Sequence, residues 1–364
     1  MSLYPKSMKH VIVYSDKQYY AGWPFNGGFW QFSDGELAVG FVRGRFDYST
    51  EKISHEKVDR DRGEHVILRS NDGGITWPAD TMTTVYTRPD WDGKIADPAV
   101  NGQKEQTGCD PRTDGYCLIS GYGIPAEDAQ NIAFATVSTD RGRTWSDPVR
   151  VPDLGRFLHL GGRPSYVVRD DGLLLLTIHG SFADISEERS FPLVFASADG
   201  GQTWRFLAEI ELKPAKPMGI MPFPLILSDG RILAAVRRQY DFANAFTQIY
   251  ESGDGGRTWR FCSRVNDWGA PASLTELKDG RLVCTYGYRQ VPWGIRAAVS
   301  ADGGRTWGRE IILRDDGGTP DLGYPRTLLR PDGSMITVYY YNTGEDPVPA
   351  GGGVRHIAAT IWEV

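Results

Sequence analysis

The sequence predicts an all-β protein, a six-bladed β-propeller of four-stranded antiparallel blades, and three observations predict it. One eight-residue phrase recurs five times: SNDGGITW, STDRGRTW, SADGGQTW, SGDGGRTW and SADGGRTW, starting at Ser70, Ser138, Ser197, Ser252 and Ser300. Asp-Gly pairs between apolar runs occur six times, at Asp34, Asp114, Asp171, Asp229, Asp279 and Asp332, and alternate with the phrases. The composition holds 43 Gly and 11 Trp in 364 residues, which favours many short strands and tight turns over helices.

The elements follow in order. The phrases start 68, 59, 55 and 48 residues apart, room for four strands of about 5–6 residues each with their turns. Each unit reads strand, Asp-Gly turn, strand, loop, strand, phrase, strand, the meander of a propeller blade. The Asp-Gly turns are expected to be two-residue hairpins in which both central residues take positive φ. In the phrase, Asp is expected to accept backbone N–H bonds and Gly to supply the unusual dihedral. Trp77, Trp145, Trp204, Trp259 and Trp307 are expected to bury their rings between blades. Five such regular copies argue for structure, since five catalytic copies would be redundant. The sixth hairpin has no phrase after it, and HVIVYS, His10 to Ser15, has no blade of its own. That strand is expected to complete blade six and to cover a sheet edge that would otherwise lie open. Residues 1–364 then form a single domain.

Bulk properties exclude some functions. Lys and Arg number 40 against 46 Asp and Glu, a net charge of −6 with no long basic run, so nucleic acid is not an expected partner. No apolar stretch reaches the roughly 20 residues of a membrane helix; Leu173 to Ile178 reads as a buried strand. The start, MSLYPKSMKHVIVY, lacks the apolar region of a signal peptide, and the compartment stays open. Cys109, Cys117, Cys262 and Cys284 match no zinc spacing; Cys109 and Cys117 either pair in an oxidising compartment or stand as buried thiols. No metal motif is present, and no cofactor is expected.

The site is expected on the face opposite the phrases, where the loops vary in length. Counting eight residues back from each hairpin Asp places Asn26, Gln106, Arg163, Met221, Pro271 and Tyr324 at the start of the inner strands. Counting forward places Arg43, Tyr122, His179, Arg237, Tyr288 and Tyr340 at the end of the second strands, with Arg238 and Arg289 as neighbours in register. A funnel lined by Arg, Tyr and His suits a polar, anionic ligand. The plainer reading of each arginine is a pair with a nearby carboxylate.

The phrase S-x-D-x-G-x-T-W resembles the Asp-box, or BNR repeat, of sialidases and their relatives, in five of six blades. The resemblance implies a tyrosine nucleophile at the start of the sixth blade's inner strand, where DLGYPRTLLRPDG places Tyr324. It implies an acid/base aspartate in the long loop RGRFDYSTEKISHEKVDRDRGEH, where Asp59, with His55 beside it, is the candidate. Two departures matter. Sialidases hold the sugar carboxylate with three arginines, one at the start of blade one, where this chain has NGGFWQF with Asn26 and no arginine. Arg163, Arg237 and Arg289 are the candidates for a different anion clamp. The glutamate that activates the tyrosine has no counterpart in GIMPFPLIL; Glu105, from blade two, is the candidate in its place.

Three readings result. The first is a sialidase-like glycoside hydrolase on a glycan other than the standard sialic acid. The second is a polysaccharide lyase on the same scaffold, with Tyr324, His159 or His179 removing a proton beside a uronate carboxylate. The third is a non-catalytic carbohydrate-binding propeller, with Trp23, Trp30, Trp91, Trp268 and Trp293 stacking on sugars.

Overall fold

The computed structural model describes residues 4–49, 58, 63–87, 108–123, 132–153, 155, 157–182, 190–211, 217–241, 244–345, 347–349 and 351–364. In chain order the strands are β1 (Ser7–Tyr14), β2 (Tyr19–Gly22), β3 (Phe29–Gln31), β4 (Leu37–Arg45), β5 (Glu64–Ser70), β6 (Thr83–Thr87), β7 (Cys117–Gly123), β8 (Ile132–Ser138), β9 (Val149–Arg150), β10 (Phe157–Val168), β11 (Leu174–Phe182) and β12 (Phe191–Ser197). They continue with β13 (Arg205–Glu209), β14 (Met218–Ile226), β15 (Ile232–Gln239), β16 (Ala245–Ser252), β17 (Arg260–Arg264), β18 (Ala272–Glu276), β19 (Leu282–Tyr288), β20 (Gly294–Ser300), β21 (Ile311–Arg314), β22 (Gly323–Leu329), β23 (Met335–Tyr341) and β24 (His356–Glu363). A four-residue helix, α1 (Pro24–Gly27), lies between β2 and β3. The strands form six sheets, the blades of a six-bladed β-propeller with four-stranded antiparallel blades.

The chain groups into two compact units. The first, Met1–Arg88 with Asp241–Thr247 and Ser263–Val364, carries three sheets: β2 to β6, β18 to β21, and β22 to β24 with β1. The second, Pro89–Tyr240 with Gln248–Cys262, carries β7 to β9, β10 to β13 and most of the sheet β14 to β17. The second strands are buried on both faces. β19 (LVCTYGY) is buried through Gly287, and β23 (MITVYYY) along its whole length. Such strands read as continuous runs of β-branched and aromatic residues, because both faces are withdrawn from water. In the first unit Val283 and Ile295 of one sheet share a cluster with Tyr339 and Trp362 of the next. In the second unit Leu118 and Val137 pack with Leu176, Phe195 and the box residue Trp204.

The N-terminal strand completes the last blade as expected. β1 pairs antiparallel with β24, with His10 opposite Thr360, in a sheet ordered β1-β24-β23-β22. Blade one departs from the simple meander. Its inner strand is split: β2 pairs with the end of β4 and β3 with its beginning, and α1 fills the break. In NGGFW the glycines permit this. Gly27 lies directly on Gly40, so a Cβ on either would overlap the other's carbonyl oxygen. Blade two shows three strands among the described residues.

The Asp-Gly turns differ from the expected geometry. In the first, the Gly35 N–H donates to the Phe32 carbonyl at 2.9 Å and the Phe32 N–H donates to the Glu36 carbonyl at 2.9 Å. Gly35 has φ 91°, while none of the hairpin aspartates has positive φ. These are three-residue loops, a type I turn closed by glycine in the left-handed region, repeated at Gly172, Gly230, Gly280 and Gly333. The aspartate stays in the right-handed region because its carboxylate accepts the N–H two residues on, as Asp34 does from Glu36 at 3.1 Å. At Asp114 the glycine is not left-handed; there Arg141 pairs with Asp114 at 2.6 Å and donates its N–H to the Gly115 carbonyl.

The five phrases build one turn. Asp72 Oδ1 accepts the N–H groups of Ile75 (3.0 Å) and Thr76 (2.9 Å), Oδ2 accepts the Thr76 hydroxyl (2.6 Å), and Ser70 Oγ accepts the Gly74 N–H (2.9 Å). The Trp77 indole N–H donates to the Gly74 carbonyl at 3.1 Å, so the tryptophan closes its own turn. In the fifth copy Trp307 donates to Ser263 Oγ at 3.0 Å, and that hydroxyl donates to the Gly304 carbonyl. The four cysteines are free thiols, Cys117 and Cys284 buried, Cys109 and Cys262 partly so.

Candidate functional site

A recurring distortion marks where the inner strands begin. β10, β14 and β22 each lose register with the next strand, between Gly161 and Ser165, Ile220 and Phe223, and Gly323 and Arg326. A β-bulge of this kind re-aims a side chain. Two of the three place a non-glycine residue in the left-handed region just before a proline: Met221 at φ 51° and Tyr324 at φ 54°. A backbone of this kind costs about 1–3 kcal/mol and persists only where its surroundings over-determine it.

In the first unit, Tyr324 is 4% exposed and three rings or cations surround it. The Arg289 guanidinium carbon lies 5.6 Å from its ring centroid, Tyr340 meets it edge-on at 5.7 Å, and Phe25 of α1 meets it edge-on at 6.4 Å. Two glycines bring Arg289 there. Gly287 in β19 and Gly323 in β22 lie back to back, so a Cβ on Gly287 would stand 2.9 Å from the Gly323 Cα. The residue after Gly323 is Tyr324, and Arg289 follows Gly287 by two. Arg289 is 7% exposed and donates to the Leu322 carbonyl at 3.2 Å. Asn26, expected at the start of a strand, lies in α1 beside Phe25; its side-chain oxygen is buried and accepts no hydrogen bond among the described residues. Arg326 holds α1 by donating to the Phe25 carbonyl at 2.8 Å.

Behind Tyr324 sits a polar hub that the sequence reading missed. The Asp321 carboxylate accepts the hydroxyls of Tyr20 (3.0 Å) and Tyr340 (2.9 Å) and pairs with Arg355 Nε (2.9 Å). Its carbonyl accepts the Asn342 amide at 2.7 Å. Arg355 also donates to the carbonyls of Gly351 (2.7 Å) and Gly353 (2.8 Å). Burial, and then the charge of Asp321, hold the Tyr20 and Tyr340 phenols well above their ordinary range, so both remain hydrogen-bond donors. Asp321 stands three residues before Tyr324 in TPDLGYP, a carboxylate in an otherwise apolar strand entry; that was its one signal in the sequence.

Arg43 sits in another environment of the same unit. Its guanidinium pairs with Glu64 at 3.0 Å, donates to the Tyr14 hydroxyl at 3.1 Å and lies 4.8 Å from the Tyr19 ring centroid. This is the plain carboxylate pairing that strand-end arginines adopt.

The second unit holds the other described candidates. Arg237 is 3% exposed and its Nη1 lies 3.8 Å from the Met221 sulfur. Its neighbour Arg238 pairs with Glu211. His179 is the register partner of Gly161, and its ring lies over that glycine where a Cβ would overlap it. Arg163 lies in β10 within the register shift. Thr177 donates to the carbonyls of Ser165 (3.1 Å) and Pro222 (2.9 Å), fastening the bulges of β10 and β14 to one another. His55, Asp59, Glu105 and Gln106 lie outside the described residues. Among the described residues no group of three or more His, Cys, Asp or Glu is placed to hold a metal ion. Among the described residues no helix is long and apolar enough to cross a membrane.

Six antiparallel sheets, the blades of one propeller, with an Asp-box in five of them define a member of the sialidase and BNR-repeat superfamily. A family description, the BNR repeat-like domain, matches residues 118–338, and the chain belongs to that family. It is 29% identical over 260 residues to a sialidase of Micromonospora viridifaciens, covering 60% of this chain and 37% of that protein. The chain spans less than half the length of the curated relatives it matches. Among solved structures, a protein of unknown function from Dyadobacter fermentans superposes with a TM-score of 0.77 at 23% identity, covering 99% of this chain and 100% of that one. An α-L-arabinanase of Penicillium chrysogenum superposes with a TM-score of 0.61 at 13% identity, covering 99% of each chain. These likenesses show the propeller fold.

Proposed function

We propose that this chain is a glycan-acting hydrolase in which Tyr324 is the nucleophile, Arg289 and Asn26 hold the sugar, and Asp59, with His55 beside it, exchanges the proton. The observation that carries the reading is the backbone of Tyr324, kept at φ 54° in a bulge against Arg289. Strain of this kind is retained where a side chain must be aimed. In the first step the Tyr324 hydroxyl gives its proton to Glu105, its oxygen bonds to the anomeric carbon, the glycosidic C–O bond breaks, and the leaving oxygen takes a proton from Asp59. Water then attacks the anomeric carbon and gives a proton to Asp59, while the tyrosine oxygen leaves and takes its proton back from Glu105. The names of the matched proteins, sialidase and arabinanase, support a glycan as substrate. Asn26 in place of an arginine favours a sugar that presents a hydroxyl there, because a buried amide oxygen accepts a hydroxyl proton and repels a carboxylate.

The test is a panel of aryl glycosides and acidic oligosaccharides. One member should be hydrolysed, and Tyr324→Phe should lower that turnover by about 10³-fold or more while leaving the melting temperature nearly unchanged. A fluorinated glycosyl fluoride of the same sugar should lose its anomeric fluoride and add the mass of the fluorosugar residue to the peptide containing Tyr324. Full activity of Tyr324→Phe overturns the nucleophile. Product absorbing in the ultraviolet as an unsaturated uronide establishes the lyase, and saturable binding with no turnover of any substrate establishes a carbohydrate-binding propeller.

A further inference from the structure

We propose that Asp321 is a positioning residue for the Tyr324 site: its carboxylate locks the two phenols, Tyr20 and Tyr340, against which the strained residues Tyr324 and Trp23 pack. The catalytic consequence rests on the function proposed above; the positioning does not.

Among its described residues the first unit places two non-glycine residues in the left-handed region, Trp23 at φ 58° and Tyr324 at φ 54°. They are 301 residues apart in sequence, yet both lean on the Tyr340 ring. Trp23 stacks on Tyr20 with centroids 5.2 Å apart and planes 24° apart, and it meets Tyr340 at 6.1 Å. Tyr324 meets Tyr340 edge-on at 5.7 Å. The hydroxyls of Tyr20 and Tyr340 both donate to Asp321. Asp321 is itself held by Arg355, whose remaining donors reach Gly351, Gly353 and Thr319. Tyr20, Tyr340 and Asn342 are fully buried and Arg355 nearly so. One carboxylate thereby ties β2, the entry to β22, the end of β23 and the segment before β24 into a single rigid group. Buried, fully bonded polar networks specify one arrangement where apolar packing would tolerate several. Rings alone can slide; rings whose hydroxyls share one acceptor cannot move independently. The two strained backbones are then over-determined in the way that such conformations require.

The adjacent residue in β23 supplies the control. Tyr339 is equally buried, and its hydroxyl bonds to Thr360 Oγ1 at 2.6 Å, away from the hub. Tyr340→Phe and Tyr339→Phe each delete the hydrogen bonding of one buried phenol and keep the ring. The experiment labels the full chain with 5-fluorotryptophan, assigns the Trp23 signal with Trp23→Phe, and records fluorine spectra and steady-state hydrolysis for both variants. Tyr340→Phe should shift or broaden the Trp23 signal and lower kcat about tenfold or more, with KM little changed. Tyr339→Phe should lower the melting temperature by a similar amount and do neither. An unchanged Trp23 signal in Tyr340→Phe, an equal change in Tyr339→Phe, or a shifted signal with full kcat each overturns the proposal. If the wild-type chain hydrolyses no glycoside, the proposed function falls, and the fluorine comparison still decides the positioning.

Discussion

An alanine methyl at residue 287 would stand 2.9 Å from the Cα of Gly323, with the carbonyls of Ala270 and Leu322 at 3.6 Å. Backbone would have to shift, and the shift would fall between Arg289 and Tyr324. Gly287→Ala is expected to cost about 1–3 kcal/mol, the usual penalty of overpacking, and to lower turnover further than that loss of stability explains. Gly230→Ala is the comparison. Its methyl meets nothing within 4 Å, but its φ of 84° disfavours any L side chain, so about 1–2 kcal/mol is lost with no effect on the site. Urea unfolding and initial rates on both variants check this; equal activity of the two would show that the glycine contact does not place Arg289. At this scale Tyr324 was legible, because a tyrosine before proline at the right distance from an Asp-Gly turn is a local pattern. Asp321 and Arg355 were not, since an ion pair between residues 34 apart has no periodicity to reveal it.

Among the elements, the Asp-box carries a titration. In the fourth and fifth boxes the hydroxyl of Thr258 bonds Asp254 and that of Thr306 bonds Asp302, and with the backbone N–H bonds they lower both carboxyls to about 2. In the first box desolvation pushes Asp72 up, but the bonds from Thr76, Ser70 and Ile75 outweigh it and it too falls to about 2. Asp140 and Asp199 are lowered in the same way. A carboxyl whose folded value is depressed stabilises the fold above its unfolded value, near 4, and loses that contribution as the pH falls toward 2. Stability should therefore drop across pH 4 to 2 through five turns at once. Asp302→Asn should be less stable at pH 7 and show a shallower acid limb, read from urea midpoints between pH 2 and 7. An unaltered slope would mean that the box carboxylates do not drive acid unfolding. The boxes were legible because the bonds to each aspartate carboxylate come from within four residues of it. The hairpin type was not, because Asp-Gly fits two turn geometries and only the backbone shows that the glycine alone is left-handed.

At the scale of the whole molecule, the ends of the chain meet in one sheet. β1 pairs with β24 over seven registered residues, and Ile357, Ala359 and Thr360 beneath it are fully buried. Deleting residues 1–14 should expose the edge of β24, a template for pairing with another chain. The truncated protein is expected to melt at a lower temperature and to associate in a concentration-dependent way, measured by light scattering. A monomer of unchanged melting temperature would show that β1 does not protect that edge.

The sequence by itself determined the six-sheet plan, the five stapled turns and the place of the first strand in the last sheet. These follow from short-range chemistry: alternating glycine, aspartate and apolar runs whose bonds close within a few residues. Only the tertiary structure decided that Tyr324 would take a left-handed backbone, that Gly287 and Gly323 would touch, and that Tyr20 and Asp321, 301 residues apart, would share a hydrogen bond. The reason is physical. Residues that distant meet through the packing of whole sheets, and the identity of a buried partner depends on the space left there, which no local pattern encodes.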